Sequence, residues 1–195
     1  MSLGAEFKDR AAGPKPTQKD REAFRAAVYS GGDLDAAKKF LDAFPGHFAN
    51  AIYNDQDTTL LMCAAARWRY DMVELLVKQG ADVNLQNRTG DTALICAARN
   101  GNYKVVAYLL ANGADIEVKS IHGMTADDWA QRKGHQGISR MIRKERDWRE
   151  AEKAAARQRA MEEDIGAVYK GIKGEMEVTR SLVFRKKPVK AAKLL

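Results

Sequence analysis

Two stretches of the chain carry apolar residues at helical spacing and end in the same way. In "DMVELLVKQG" (71–80), Val73, Leu76 and Val77 fall at i, i+3 and i+4. In "YKVVAYLLANG" (103–113), Val106, Leu109 and Leu110 do the same. That spacing gathers the side chains on one face of an α-helix. Gly80 and Gly113 follow, where a left-handed residue closes a helix. Ahead of each lies a shorter apolar helix, opened by Thr59 or Thr92, whose hydroxyl can cap the first turn. The small pairs Ala64–Ala65 and Ala97–Ala98 allow the two helices of a unit to approach closely. Neither unit can bury its apolar face alone, so each needs a neighbour to cover it.

The neighbours are copies. Shifting the chain by 33 residues superposes Thr59, Thr92 and Thr125, then Leu61 on Leu94, Cys63 on Cys96, and Gly90 on Gly123. "LLVKQGADVNLQN" (75–87) lies over "YLLANGADIEVKS" (108–120), and Ala130 and Gly134 lie over Ala97 and Gly101. A fixed period of this length marks a stacked repeat architecture. At these residues the chain resembles the ankyrin repeat family. The family pattern G-x-T-P-L-H-x-A-A, a second helix and G-A-D-x-N is met well in 57–87 and 90–120 and partly in 123–142. A weaker copy precedes them at 23–50, with its own Gly-Asp turn and about three extra residues before the next repeat.

The resemblance implies an all-α solenoid of four helix-turn-helix repeats (20–54, 55–87, 88–120 and 121–142) with short β-turn loops. It also implies non-catalytic protein recognition. Several positions depart from the pattern. Leu60, Ala93 and Ala126 replace the proline; Met62, Ile95 and Asp128 replace the histidine. The family's Thr–His contact between turns is therefore absent. Trp68 replaces the turn glycine, and Asp127 stands at the core leucine of the fourth repeat. We read Asp127 and Asp128 as the polar outer face of a capping repeat.

Charge separates the chain into a body and two ends. Residues 20–142 carry 14 Lys/Arg and 15 Asp/Glu, whereas residues 143–195 carry 15 against 9. The basic excess therefore lies mostly after the repeats. No apolar run is long enough to span a membrane. The opening "MSLGAEFKDR" lacks a hydrophobic signal core. The expected compartment is the cytoplasm, with the periplasm or secretion as the alternative if a leader has been removed.

Catalytic patterns are wanting. His47, His122 and His135 have no ligand partner at metal spacing, and no phosphate loop or nucleophile motif occurs. No metal or cofactor is expected. Cys63 and Cys96 occupy the same place in consecutive repeats. Stacked helices lie about 8–10 Å apart, beyond disulfide reach, so both thiols are expected to be free.

What remains is binding. In the family, partners meet the loop tips and the inner face of the first helices. The tip candidates here are Arg88, Asp91, His122 and Met124. The inner-helix candidates are Arg67, Trp68, Arg69, Arg99, Asn100, Arg132 and Lys133. Arg99 and Arg132 lie one period apart, and Arg67 and Lys133 lie two periods apart on the adjacent row. We expect a basic ladder beside Trp68 that receives an acidic segment of a protein partner. As a surface residue, Arg99 is expected to contribute under about 0.5 kcal/mol to stability. The repeat domain is expected to be monomeric.

A single helix is predicted to leave the fourth repeat, with a helical extension over 143–164. Residues 165–195 read as a basic flexible tail, because Gly166, Gly171 and Gly174 interrupt the first part and "MEVTRSLVF" (176–184) is β-prone. A tail of this kind has three readings: disorder, a motif that docks on a partner or on the repeats, or a contact to nucleic acid or an anionic membrane. The alternatives to a scaffold are therefore a nucleic-acid-associated regulator working through the tail, and an accessory module of an enzyme encoded elsewhere.

Overall fold

The computed structural model of the chain describes residues 15–31, 33–44 and 47–184. Among these residues eight α-helices follow one another: α1 (Gln18–Ala26), α2 (Leu34–Ala43), α3 (Leu60–Ala66), α4 (Tyr70–Lys78), α5 (Ala93–Arg99), α6 (Tyr103–Ala111), α7 (Ala126–Arg132) and α8 (Gln136–Phe184). A π-helical turn, Ala27–Gly31, follows α1. No strand occurs among the described residues; one isolated antiparallel bridge joins Ile52 to Thr59. The chain divides into two compact units, with the boundary between Arg146 and Asp147.

The first unit is an all-α solenoid, and the 33-residue period is visible in its hydrogen bonds. Thr59, Thr92 and Thr125 each cap a first helix, accepting from Met62 N, Ile95 N and Asp128 N at 3.2, 3.3 and 3.3 Å. At the loop tips Arg88 N donates to Gln56 O, and one period later Ile121 N donates to Thr89 O, both at 2.9 Å. These bonds satisfy loop amides by pairing each tip with the one before it. Asp128, at the family's histidine position, takes a different part: its carboxylate accepts from Thr125 N at 2.8 Å and completes a capping box.

Stacking buries the residues that the period brings together. Leu61 and Leu94 are almost fully buried, as are Ala64, Ala65, Ala97, Ala98, Val73, Leu76, Val106 and Leu109. They belong to one continuous core that also takes in Ile138 and Ile142 of α8. α3 packs on α5, and α5 on α7. The first repeat buries Ala27 and Ala37 and fills the rest of its space with rings. Phe24 and Phe48 lie 4.6 Å apart, with Phe40 and Phe44 edge-on to Phe48. Gly32 and Gly46, part of the pattern read in this repeat, lie outside the described residues.

The turn between the helices of a repeat needs a left-handed residue. Gly101 and Gly134 supply it, at φ +76° and +79°. The following amide then reaches back: Asn102 N to Ala97 O at 2.9 Å and His135 N to Ala130 O at 2.8 Å. In the second repeat the same bond, Arg69 N to Ala64 O at 3.2 Å, forms around Trp68 at φ +65°. A left-handed conformation costs an L-residue roughly 1–2 kcal/mol relative to the ordinary helical one.

Two expectations are corrected. Asp127 is not part of a polar outer face. It is 4% exposed, in the position that Leu61 and Leu94 hold in the preceding repeats. It is tolerated there because α8 brings two donors one turn apart. Ser139 Oγ bonds one carboxylate oxygen, and Arg143 Nε bonds the other at 3.0 Å. Burial pushes the Asp127 carboxyl up. The hydrogen bonds from Ser139 and Arg143, the Arg143 charge and a bond from Gln131 outweigh that and hold it below its ordinary value.

The second correction concerns the tail. α8 does not stop near residue 164 but continues to Phe184, through Gly166, Gly171, Gly174 and the β-prone stretch. A glycine costs a helix only about 1 kcal/mol, strand propensity is weak away from a sheet, and no proline intervenes before Pro188. In the second unit, α8 exposes Trp148, Met161, Ile165, Tyr169 and Ile172. Residues 185–195, which hold the most basic part of the expected tail, lie outside the described residues.

Candidate functional site

The first helices α3, α5 and α7 end in or are followed by the basic residues singled out in the sequence. Arg99 and Arg132 are the last residues of α5 and α7; Arg67 follows α3 and Lys133 follows α7. The stack brings Arg99 and Arg132 to one aromatic side chain, Trp129 of α7. Their guanidinium carbons lie 5.3 and 5.5 Å from its ring centroid. Both fall within the distance at which a cation is drawn to an indole face. His122 meets Trp129 edge-on, with centroids 6.1 Å apart. Arg132 Nη1 also donates to Met124 Sδ at 3.5 Å.

Arg99 is tied more firmly than a solvated surface residue. Its Nη1 donates to Asp91 Oδ2 at 2.8 Å, and the two side chains are 31% and 7% exposed. Asp91, expected at an exposed tip, is instead buried beside the start of α5. The reason is geometric: Asp91 immediately precedes the capping Thr92, so the helix entry draws it inward under the arginine. Arg99 thus works both as a surface charge and as the partner of a buried carboxylate.

Arg67 stands over a second aromatic site. Its guanidinium carbon is 3.7 Å from the centroid of Tyr29, which stacks on Tyr53 at 4.1 Å. The Tyr53 hydroxyl shares a hydrogen bond with Tyr29; this and burial raise its pKa above the ordinary phenol value. At the tips, the exposed Arg88 pairs with Asp57 at 3.0 Å. Asn100 donates to Cys96 O at 2.8 Å, and Lys133 is exposed.

Trp68 and Arg69 do not join the Trp129 cluster. They line a groove with Tyr70, Tyr103 and Lys104 at the start of the second helices α4 and α6. The expected ladder of Arg67, Arg99, Arg132 and Lys133 beside Trp68 does not form as one row: Arg99 and Arg132 meet at Trp129, with the tip residues His122 on the ring, Asp91 under Arg99 and Met124 against Arg132; Arg67 lies over Tyr29; and Trp68 lines the groove with Arg69. Trp129, Tyr29 and Tyr53 are not among the sequence candidates. A signal for Trp129 existed, since it lies one period after Cys96 and two after Cys63.

A family model described as Ankyrin repeats (3 copies) matches residues 24–120. The chain belongs to the ankyrin repeat family. The match takes in the first three repeats, including the weak first copy; beyond it, α7 packs on α5 and continues the stack. No curated protein matches the chain. Ankyrin repeats are generally protein-interaction modules and typically non-catalytic.

The remaining chemistry on this ankyrin surface is sparse. Cys63 and Cys96 are free and buried. Burial pushes their thiols up to about 11 and about 12, against a smaller opposing effect of Arg67 and Arg99 respectively. Thiols held so far from ionisation are poor nucleophiles at neutral pH. Among the described residues no cluster of three His, Cys, Asp or Glu side chains could hold a metal ion. Among the same residues no helix is long and apolar enough to cross a membrane.

Proposed function

We propose that this chain is a non-catalytic recognition module that receives a carboxylate-bearing segment of a partner protein on its first-helix face, with the loop tips at the edge of the contact. The observation that carries this reading is the pair of guanidinium groups at Arg67 and Arg132. Both side chains are exposed, and each is held against an aromatic ring. Neither takes part in an ion pair among the described residues. A guanidinium steadied by a ring and left without an anion is prepared for a carboxylate, which its planar fork can grip through both oxygens. Arg99 contributes positive charge from the neighbouring row, and Lys133 extends the basic edge.

The test is affinity capture with the full chain as bait, followed by titration of the recovered partner. The double reversal R67E/R132E should weaken binding at least tenfold and leave the melting temperature close to that of the parent. It spares Arg99, whose replacement would disturb Asp91. A partner bound as tightly by the double reversal as by the parent would refute the first-helix site. If removal of residues 165–195 alone abolished binding, and binding fell steeply with salt on nucleic acid of any sequence, the basic end of the chain would be the functional element instead.

A further inference from the structure

The second repeat holds a tryptophan where its sister repeats hold glycine. Trp68 closes α3 at φ +65°, and Gly101 and Gly134 close α5 and α7 in the same left-handed conformation. The substitution brings backbone strain, and strain of this kind persists where the surrounding structure or function requires it. Packing does not require it: the Trp68 side chain is 64% exposed. Tyr103, one helix further along the stack, is 56% exposed. Both rings line the same depression, and contiguous exposed apolar surface of this kind marks an interaction site.

The rings border a defined depression. A groove of about 580 Å³ runs between the starts of α4 and α6, walled by Trp68, Tyr70 and Tyr103. A second, shallower depression of about 530 Å³ shares Tyr70, Tyr103 and Lys104 and extends to Tyr108, which meets Tyr70 edge-on at 5.6 Å. Arg69 and Lys104 line the first groove against a single acid, Asp71. Arg69 is also the N-cap residue of α4, and that helix start has no side-chain hydrogen bond to its amides. The groove thus joins an aromatic wall to a positive rim.

We propose that this groove is a second docking surface, for a short segment of a partner protein in which an aromatic or aliphatic side chain is flanked by carboxylates. The apolar side chain seats against Trp68, Tyr70 and Tyr103. The flanking carboxylates meet Lys104, Arg69 and the uncapped first turn of α4, where the amide dipoles favour negative charge. Tryptophan, tyrosine and arginine are the residue types that dominate binding energy at protein interfaces. The surface lies on the second helices, apart from the Trp129 cluster on the first helices, so it stands or falls independently of the site proposed above.

The experiment pans a phage-displayed random peptide library against the full chain and counter-screens the enriched peptides on W68G. Glycine suits the left-handed position, so W68G relieves the strain and should melt at or above the parent temperature; a merely structural tryptophan would lower it. Enriched peptides should combine Trp, Phe or Leu with Asp or Glu. Their affinity should fall roughly thirtyfold on W68G, as for a truncated interface hot spot. K104E should weaken them as well, and R132E should leave them unchanged. The proposal is overturned if no peptide is enriched, if the enriched peptides lack acidic residues, or if W68G binds them like the parent. It is equally overturned if sedimentation shows that the parent self-associates and W68G does not, because the groove would then receive a second copy of this chain.

Discussion

Replacing Arg99 by alanine tests whether the structure has turned an apparent surface charge into a structural one. The Arg99–Asp91 pair spans 2.8 Å, and the Asp91 side chain is only 7% exposed. Without Arg99 the carboxylate stays buried and loses the charged donor that balances it. A hydrogen bond to a charged group contributes about 1.5–3 kcal/mol. The contact with Trp129 adds about 0.5–1 kcal/mol. Against this, Arg99 is 31% exposed. Water entering the vacated space recovers part of the loss, which places the cost well below the 3–5 kcal/mol of a fully buried pair. R99A should therefore cost roughly 2–3 kcal/mol. R132A, which loses a ring contact but no buried ion pair, should cost under about 1 kcal/mol. Urea unfolding of the full chain, followed by far-UV circular dichroism, measures both, with L94A as a core reference at about 2–5 kcal/mol. The cycle through D91N and R99A/D91N should give a coupling of about 1–2 kcal/mol. If R99A proves no costlier than R132A, or the coupling is near zero, Asp91 does not depend on Arg99 and the placement of the pair is wrong.

The carboxyl of Asp127 is held below its ordinary value in the folded chain. Its contribution is therefore present above the unfolded carboxyl pKa of about 3.9 and is lost as pH falls through the lower folded value. The stability difference between the parent and D127N should be about 1–3 kcal/mol near neutrality and should shrink in acid; a difference that does not vary with pH would refute the pairing with Ser139 and Arg143. For the thiols, pushed up to about 11 and about 12, iodoacetamide at mildly alkaline pH should modify Cys63 and Cys96 slowly in the native chain and quickly in urea. Equal rates in the two conditions, or a Cys63–Cys96 disulfide in the unreduced protein, would contradict their burial.

The repeat architecture was legible in the sequence because its causes are local and recur. A capping threonine, an alanine pair, apolar residues at helical spacing and a closing glycine each act within a few residues. The period then repeats the same solution at Thr59, Thr92 and Thr125. That Arg99 and Arg132 occupy neighbouring rows also followed from the period. Their partners did not, because contacts between repeats depend on which side chain the next helix presents. Trp129 lies between the two arginines, and Asp91 folds under one of them. Asp127 shows the same limit. The sequence marks a charge in a leucine position, but only the packing of α8 shows that the charge stays inside, bound by Ser139 and Arg143. The exposure of Trp68 in a left-handed turn was likewise decided by the assembled chain. Local chemistry determined where helices start and stop. Tertiary contact determined which charges are buried, which are paired, and which remain at the surface.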